Sequence, residues 1–150
     1  MTVTKLTPHI VVRDAGRASD WYVNALGAQL GSRIQHPDGR YMQIELQFGE
    51  GTVMIADEFP EFGAVSPQTL GGTYGALTLT VDDVDSMWER ALSAGATEFH
   101  PLQDAFFGER HGQILDPFGH RWGLTQKLED VSPEEAQRRV DELFGSATTL

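Results

Sequence analysis

Asp14–Ala28 reads DAGRASDWYVNALGA, and Asp83–Ala96 reads DVDSMWERALSAGA. These two stretches decide the fold, because they carry one pattern twice. Each opens on an Asp, runs through apolar residues at helical spacing and closes on Gly-Ala. The offset is 69 residues at the aspartates and 68 at the glycines. Each Asp follows a strand-like run, Ile10-Val11-Val12 or Leu79-Thr80-Val81, and each copy continues into strand-like segments with a Gly-bearing turn. Those turns are Gly49-Glu50-Gly51 and Phe118-Gly119-His120. A repeat of this kind implies two copies of one supersecondary unit, each too small to close its own core, packed together with a cleft between them.

Working outward, Leu6 to Arg13 reads as a strand with Leu6, Ile10 and Val12 on one face. Asp14 is a candidate N-cap, since its carboxylate can accept the orphan amides of a first helical turn. Ala18, Tyr22, Ala25 and Leu26 recur at helical spacing, and Gly27 suits the left-handed position that ends a helix. Gln29–Gln35, Arg40–Phe48 and Thr52–Ala56 follow as strands, separated by a Pro37-Asp38-Gly39 turn and the Gly49 turn. In the middle one Met42, Ile44, Leu46 and Phe48 alternate with Tyr41, Gln43, Glu45 and Gln47, the period of a half-buried strand. The second copy repeats the order. Ala76–Val81 is a strand, Val84, Met87, Trp88, Ala91 and Leu92 form one buried helical stripe, and Thr97–Leu102, Gly112–Leu115 and Arg121–Gln126 are strands. The fold class is therefore α+β, with two βαβββ modules at 1–58 and 75–128 and a Gly- and Pro-rich linker at 59–74. Ser132-Pro133-Glu134-Glu135 is a capping box that starts a charged helix reaching about Phe144, within a tail of 129–150.

Composition narrows the function classes. The formal charge of −11, with only 11 basic residues and none in a run, argues against a phosphate-backbone partner, so no nucleic acid is expected. No apolar stretch approaches membrane-spanning length, so no membrane partner is expected. The first residues, MTVTKLTPHI, do not read as a signal peptide, and a cytoplasmic protein is the expectation. The absence of cysteine removes disulfide and thiolate chemistry.

Paired βαβββ modules resemble the vicinal-oxygen-chelate superfamily of glyoxalases, bleomycin-resistance proteins and extradiol dioxygenases. More narrowly, LTPHIVVRDA, WYVNALGA, TYGALTLTVDDVD, ALSAGAT, FFGERHGQILDPFGHRWGL and EDVSPEEAQRR resemble its PhnB-like branch, from about Thr4 to Phe144. The resemblance implies two curved sheets whose concave faces form a ligand cleft, with helices on the outside, and a homodimer. Enzymes of that superfamily hold a divalent ion with His or Glu on the first and last strand of each module. Transferred by spacing from the capping aspartates and turn glycines, those positions are Thr7, Ala76, Gly123 and Ile55, with Met54 or Ala56 one residue away. None has the imidazole or carboxylate such an ion requires. No metal and no cofactor are therefore expected, although a displaced site would draw on His9, Glu45 or Asp57.

Packing Ile10 and Val12 on the helix sends Thr7, His9 and Val11 to the opposite, cleft face, with Tyr41, Gln43, Glu45 and Gln47 from the third strand. Ala76, Thr78, Thr80, Arg121, Gly123 and Thr125 share the corresponding face of the second module. Such a polar row either faces water or orients a polar ligand in a pocket that is otherwise apolar. His9 is either a satisfied structural histidine or a general base working with Glu45. Phe106 and Phe107 stand in a loop where two adjacent aromatics cannot both enter one core, so one covers the cleft. Arg110 either clamps a carboxylate or phosphonate with its planar fork or pairs with Glu109 or Asp116 as scaffolding. The ligand-binding set is thus Thr7, His9, Tyr41, Gln43, Glu45, Phe106, Phe107, Arg110 and Arg121. Trp21, Trp88 and Trp122 read as core, Asp116 as a turn cap, and His36, His100 and His111 as loop or strand-edge residues. Two functions stay open. One is a metal-independent binder of a small polar or anionic molecule. The other is a lyase, isomerase or dioxygenase with a displaced metal site or a His/Glu acid–base pair.

Overall fold

The computed structural model describes residues 1–145; the end of the predicted tail, 146–150, lies outside the described residues. The first module comprises β1 (His9–Val12), α1 (Ala15–Leu26), β2 (Gln29–Gln35), β3 (Tyr41–Phe48) and β4 (Gly51–Asp57). A short 3-10 turn (Pro60–Phe62) and α2 (Pro67–Leu70) occupy the linker, so it is more structured than its composition suggests. The second module comprises β5 (Ala76–Thr80), α3 (Val84–Ser93), β6 (Thr97–Asp104), β7 (Glu109–Leu115) and β8 (Arg121–Lys127), and α4 (Pro133–Phe144) follows. The sheets are ordered β1-β4-β3-β2 and β5-β8-β7-β6, each with its first strand parallel to its last.

Matching contacts hold the two copies. Asp14 accepts the Arg17 amide at 3.0 Å and Asp83 accepts that of Ser86 at 3.1 Å, capping α1 and α3. A second acceptor reaches each helix start from the last strand. Asp57 takes the amides of Ala15 and Tyr41, both at 2.7 Å, and Gln126 takes that of Val84 at 3.0 Å. Gly27 closes α1 at φ 73°, a conformation that favours glycine.

The core lies on the helix side of both sheets and is continuous. Ala15, Ala18, Tyr22 and Ala25 of α1 are wholly buried with Ile44 and Leu46 of β3, and Val84 and Ala91 of α3 with Ile114 of β7 and Leu124 of β8. Tyr22 crosses between modules, its ring 5.3 Å from that of Trp122 and its hydroxyl donating to Asp116 at 2.5 Å. Trp21 donates to the Ala94 carbonyl at 2.8 Å. The helices are thus less peripheral than the family resemblance implies: α1 and α3 meet each other, and the polar faces of the sheets point away from them. Trp122 and Trp88 are core, as read from the sequence.

Two strand starts differ by more than one residue from the expected ones. The ladder of β1 begins at His9↔Met54, and residues before Pro8 have no partner strand, so Leu6 stays 86% exposed instead of joining Ile10 and Val12. The third strand of the second module starts earlier than Gly112. A turn at Gly108, with φ 82°, brings Glu109, Arg110 and His111 into β7.

Candidate ligand site between the modules

In the first module the ladder aligns His9, Met54 and Glu45 on the face away from α1. Two strand spacings, roughly 10 Å, separate the His9 and Glu45 backbones. Glu45 leans the other way, toward β2: its Oε1 lies 2.9 Å from where a Cβ on Gly31 would sit. The bare glycine is what gives that carboxylate its place. His9 and Glu45 share a face without forming a pair, and a substrate would have to bridge them. Gln43 is half-buried on the same face, and Thr7 is half-buried just before the strand. Tyr41 is different. Its ring lies 3.5 Å from the Cβ position of Gly16 in α1 and packs on the core, because Asp57 draws the Tyr41 amide toward the helix start.

In the second module Thr78, Gly123, Thr125 and His111 meet on the helix-free face. A Cβ on Gly123 would lie 2.7 Å from Thr78 Oγ1 and 3.1 Å from His111 Cε1, so the space over that glycine is filled by its neighbours. The Thr125 hydroxyl donates to Glu109 at 2.8 Å. His111 is thereby a face residue within β7, an inner strand, not the loop or strand-edge residue its Gly112 neighbour suggested. The Phe107 ring stands edge-on to it at 5.8 Å, and Phe106 stands edge-on to Phe107 at 5.1 Å. The loop that carries them is held from behind, where Arg139 of α4 donates to the Phe106 carbonyl at 3.0 Å. Sequence reasoning missed His111; the i, i+2 alternation Glu109, His111, Gln113 was the available signal.

The two candidate arginines separate clearly. Arg110 points to the helix side, where its guanidinium engages Asp85 of α3 at 3.0 Å and Asp104 of β6 at 3.1 Å. Those carboxylates hold its pKa above the ordinary arginine value. This is the scaffolding role, with partners other than Glu109 or Asp116. Asp116 itself, 5% exposed, is a turn cap that takes the amides of Phe118 and His120 at 2.8 and 3.0 Å and the Trp122 indole N–H at 2.8 Å. Arg121 opens β8 on the helix-free face, stacked over Phe99 at 4.7 Å from the ring centre. Its Nη2 makes one long bond to the Tyr74 carbonyl at 3.3 Å, and its Nε is buried without an acceptor.

A cavity of about 550 Å³ lies between β1 and the start of β5, roofed by α2 and the linker, and includes His9, Leu70, Tyr74, His120 and Arg121 in its wall. His120 Nε2 spans to the Val11 carbonyl at 2.8 Å; a carbonyl only accepts, so this nitrogen carries the proton and the residue is structural. A second cavity of about 650 Å³ lies at the other end of β5, among Leu26, Phe48, Leu77, Leu79 and Trp122, and contains none of the sequence-predicted site residues.

The superfamily's metal is not matched by the side chains here. Thr7, Ile55, Ala76 and Gly123 carry no suitable donor, and the crowding by Thr78 and His111 leaves no room for one at 123 without their movement. Among the described residues no group of three His, Cys, Asp or Glu side chains is placed to hold an ion. No helix among them is long and apolar enough to cross a membrane.

Comparison with known proteins agrees with this architecture. The family model described as Glyoxalase/Bleomycin resistance protein/Dioxygenase superfamily matches residues 3–124. The uncharacterized protein Mb0911c of Mycobacterium bovis is 42% identical over 135 residues, 88% of this chain and 89% of that protein. A lactoylglutathione lyase of Neisseria meningitidis serogroup B is 27% identical over 119 residues, 74% of this chain and 81% of the lyase. Among solved structures, TioX from Micromonospora sp. ML1 superposes with a TM-score of 0.64 at 29% identity, covering 86% of this chain and all of TioX.

Proposed function

The chain belongs to the Glyoxalase/Bleomycin resistance protein/Dioxygenase superfamily, and we propose that it binds a small polar or anionic organic molecule between its modules without a metal ion. Within the superfamily we place it in the PhnB-like branch, on DPFGHRW and the upstream FFGER. The observation that carries the reading is the replacement of metal donors at the module junction. Where the resemblance puts imidazoles and carboxylates, this chain has Thr7, Ala76, a glycine overlain by Thr78 and His111, and on the fourth strand Met54 facing the cleft with Ile55 buried in the core. An ordinary pocket remains, of a size that suits a small molecule. Of the residues read from the sequence, His9 and Arg121 line this pocket and form the proposed contact set, whereas Thr7, Gln43, Glu45, Phe106 and Phe107 lie outside its wall. Tyr41 and Arg110 leave the set because each is engaged on the helix side.

The resemblance to a lactoylglutathione lyase favours a second reading, a lyase, isomerase or dioxygenase of the same superfamily. It needs either a displaced metal site or His9 and Glu45 acting together, and the lean of Glu45 toward Gly31 weighs against the pair. Elemental analysis of protein purified without chelator separates the readings. Far less than one transition metal per chain is expected. About one Zn, Ni, Fe or Mn per chain, lost on His9→Ala, overturns the metal-free proposal.

A further inference from the structure

We infer that the ligand is an organic anion, a small carboxylate with an aromatic or branched apolar body, and that Arg121 is its anchor; this rests on the small-molecule reading above and narrows it. The first ground is charge placement. The chain has 22 acidic residues against 11 basic ones, yet none of the residues lining the cavity between β1 and β5 is acidic. A smaller cavity of about 390 Å³, on the far side of Arg121 beside Phe99 and Leu115, also has no acidic lining residue. By contrast the hollow beside Arg13 and Arg40 is lined by Asp14, Asp38, Asp57 and Glu58.

The second ground is the guanidinium itself. Arg13, Arg40, Arg110, Arg138 and Arg139 each meet a carboxylate. Arg17, Arg33 and Arg90 meet none among the described residues, but they are exposed and solvated. Arg121 is half-buried, cannot shed its proton, and has one long bond to a carbonyl and an Nε without an acceptor. In a chain so rich in carboxylates, a partly buried arginine left without one stands where an external carboxylate completes it, through the bidentate fork that suits guanidinium. The rest of the wall defines the body of the ligand. Ile10, Val65, Leu70 and Leu77 supply apolar surface, and the Tyr74 side chain stands fully exposed beside the mouth.

Benzoate and its neutral isostere benzamide are the probes. Each is titrated into the full chain while the backbone amides of His9, Gly72, Tyr74 and Gly75 are followed by heteronuclear NMR. Saturable benzoate shifts at these amides are expected, at least tenfold stronger than for benzamide. Arg121→Gln should weaken benzoate by about tenfold to a hundredfold, the usual loss for a charge-assisted contact, and leave benzamide unchanged. Arg121→Lys, which keeps the charge without the fork, should fall between, and the dispersion of its spectrum checks that the fold persists. Equal binding of both probes, untouched by either substitution, overturns the anion assignment while the small-molecule reading stands. No saturable shift with either probe at about 10 mM, where even weak complexes fill, overturns both.

Discussion

Removing the Tyr22 hydroxyl tests the way the two modules are joined. Tyr22 is wholly buried, and its hydroxyl donates to Asp116 across 94 residues of chain. In Tyr22→Phe the carboxylate keeps the Trp122 indole on one oxygen and the amides of Phe118 and His120 on the other. No buried charge is abandoned, so the cost is that of one hydrogen bond to a charged group, about 1.5–3 kcal/mol. For a chain of this length each kcal/mol moves the melting temperature by about 2–4 °C, which gives a fall of about 3–12 °C. Asp116→Ala should cost at least twice as much free energy. It strands the Tyr22 hydroxyl and the Trp122 N–H in the core at about 1–3 kcal/mol each, and the turn loses two amide contacts. Calorimetry and urea unfolding of the two single variants and the double variant give a coupling energy, expected above about 1 kcal/mol for groups in direct contact. A Tyr22→Phe protein that melts within about 1 °C of the parent would refute the claim that this bond joins the modules.

Other expectations follow from the same contacts. Burial, and then the Asp116 charge, raise the Tyr22 pKa, so folding favours its neutral form. That stability is whole below the unfolded tyrosine value of about 10 and declines as pH rises beyond it; urea midpoints measured across the alkaline range should fall, and Tyr22→Phe should flatten the decline. Gly112→Ala places a methyl 2.6 Å from Trp88 Cζ3 and 2.9 Å from the Leu102 backbone, and should cost about 1–3 kcal/mol by urea unfolding; unaltered stability would show that α3 shifts freely over β7. Leu143 and Phe144 are 59% and 60% exposed on α4, and we propose that this apolar edge joins two copies of the chain. Light scattering at micromolar concentration should give the mass of a dimer, and a monomeric mass would count against it.

The order of elements is legible in the sequence because helices and strands repeat at different periods and each module announces its helix with a capping Asp. The helical stripe carried the reading of Trp88 as core, the strand face that of Trp122, and turn composition that of Asp116 as a cap. Strand ends were harder. A strand persists only where a neighbour offers a ladder, and nothing local to Leu6 reveals that β4 stops pairing beyond Pro8. Tyr41 fits the alternating pattern of β3, yet Asp57, sixteen residues later, draws its amide to the start of α1 and its ring onto the core.

The candidate site was legible as a face and illegible as a set of partners. Period-two alternation correctly sends His9, Gln43 and Glu45 to one surface, because side-chain direction along a strand is a local property. Whether a charge on such an element is spent or available is not local. Arg110 and Arg121 lie eleven residues apart in one second-module hairpin, and both stood in the ligand-binding set, Arg110 as the candidate anion clamp. The difference comes from Asp85, twenty-five residues upstream on α3, which reaches Arg110 and cannot reach the other side of the sheet. One-residue parity decides it. Arg110 shares its face with Gly112 and Ile114, toward the helix and its carboxylates, whereas Arg121 shares its face with Gly123 and Thr125, toward a cavity wall without acidic residues. Among the described residues Arg121 is therefore the half-buried guanidinium left without a carboxylate, and its place follows from the register of β7 on β8.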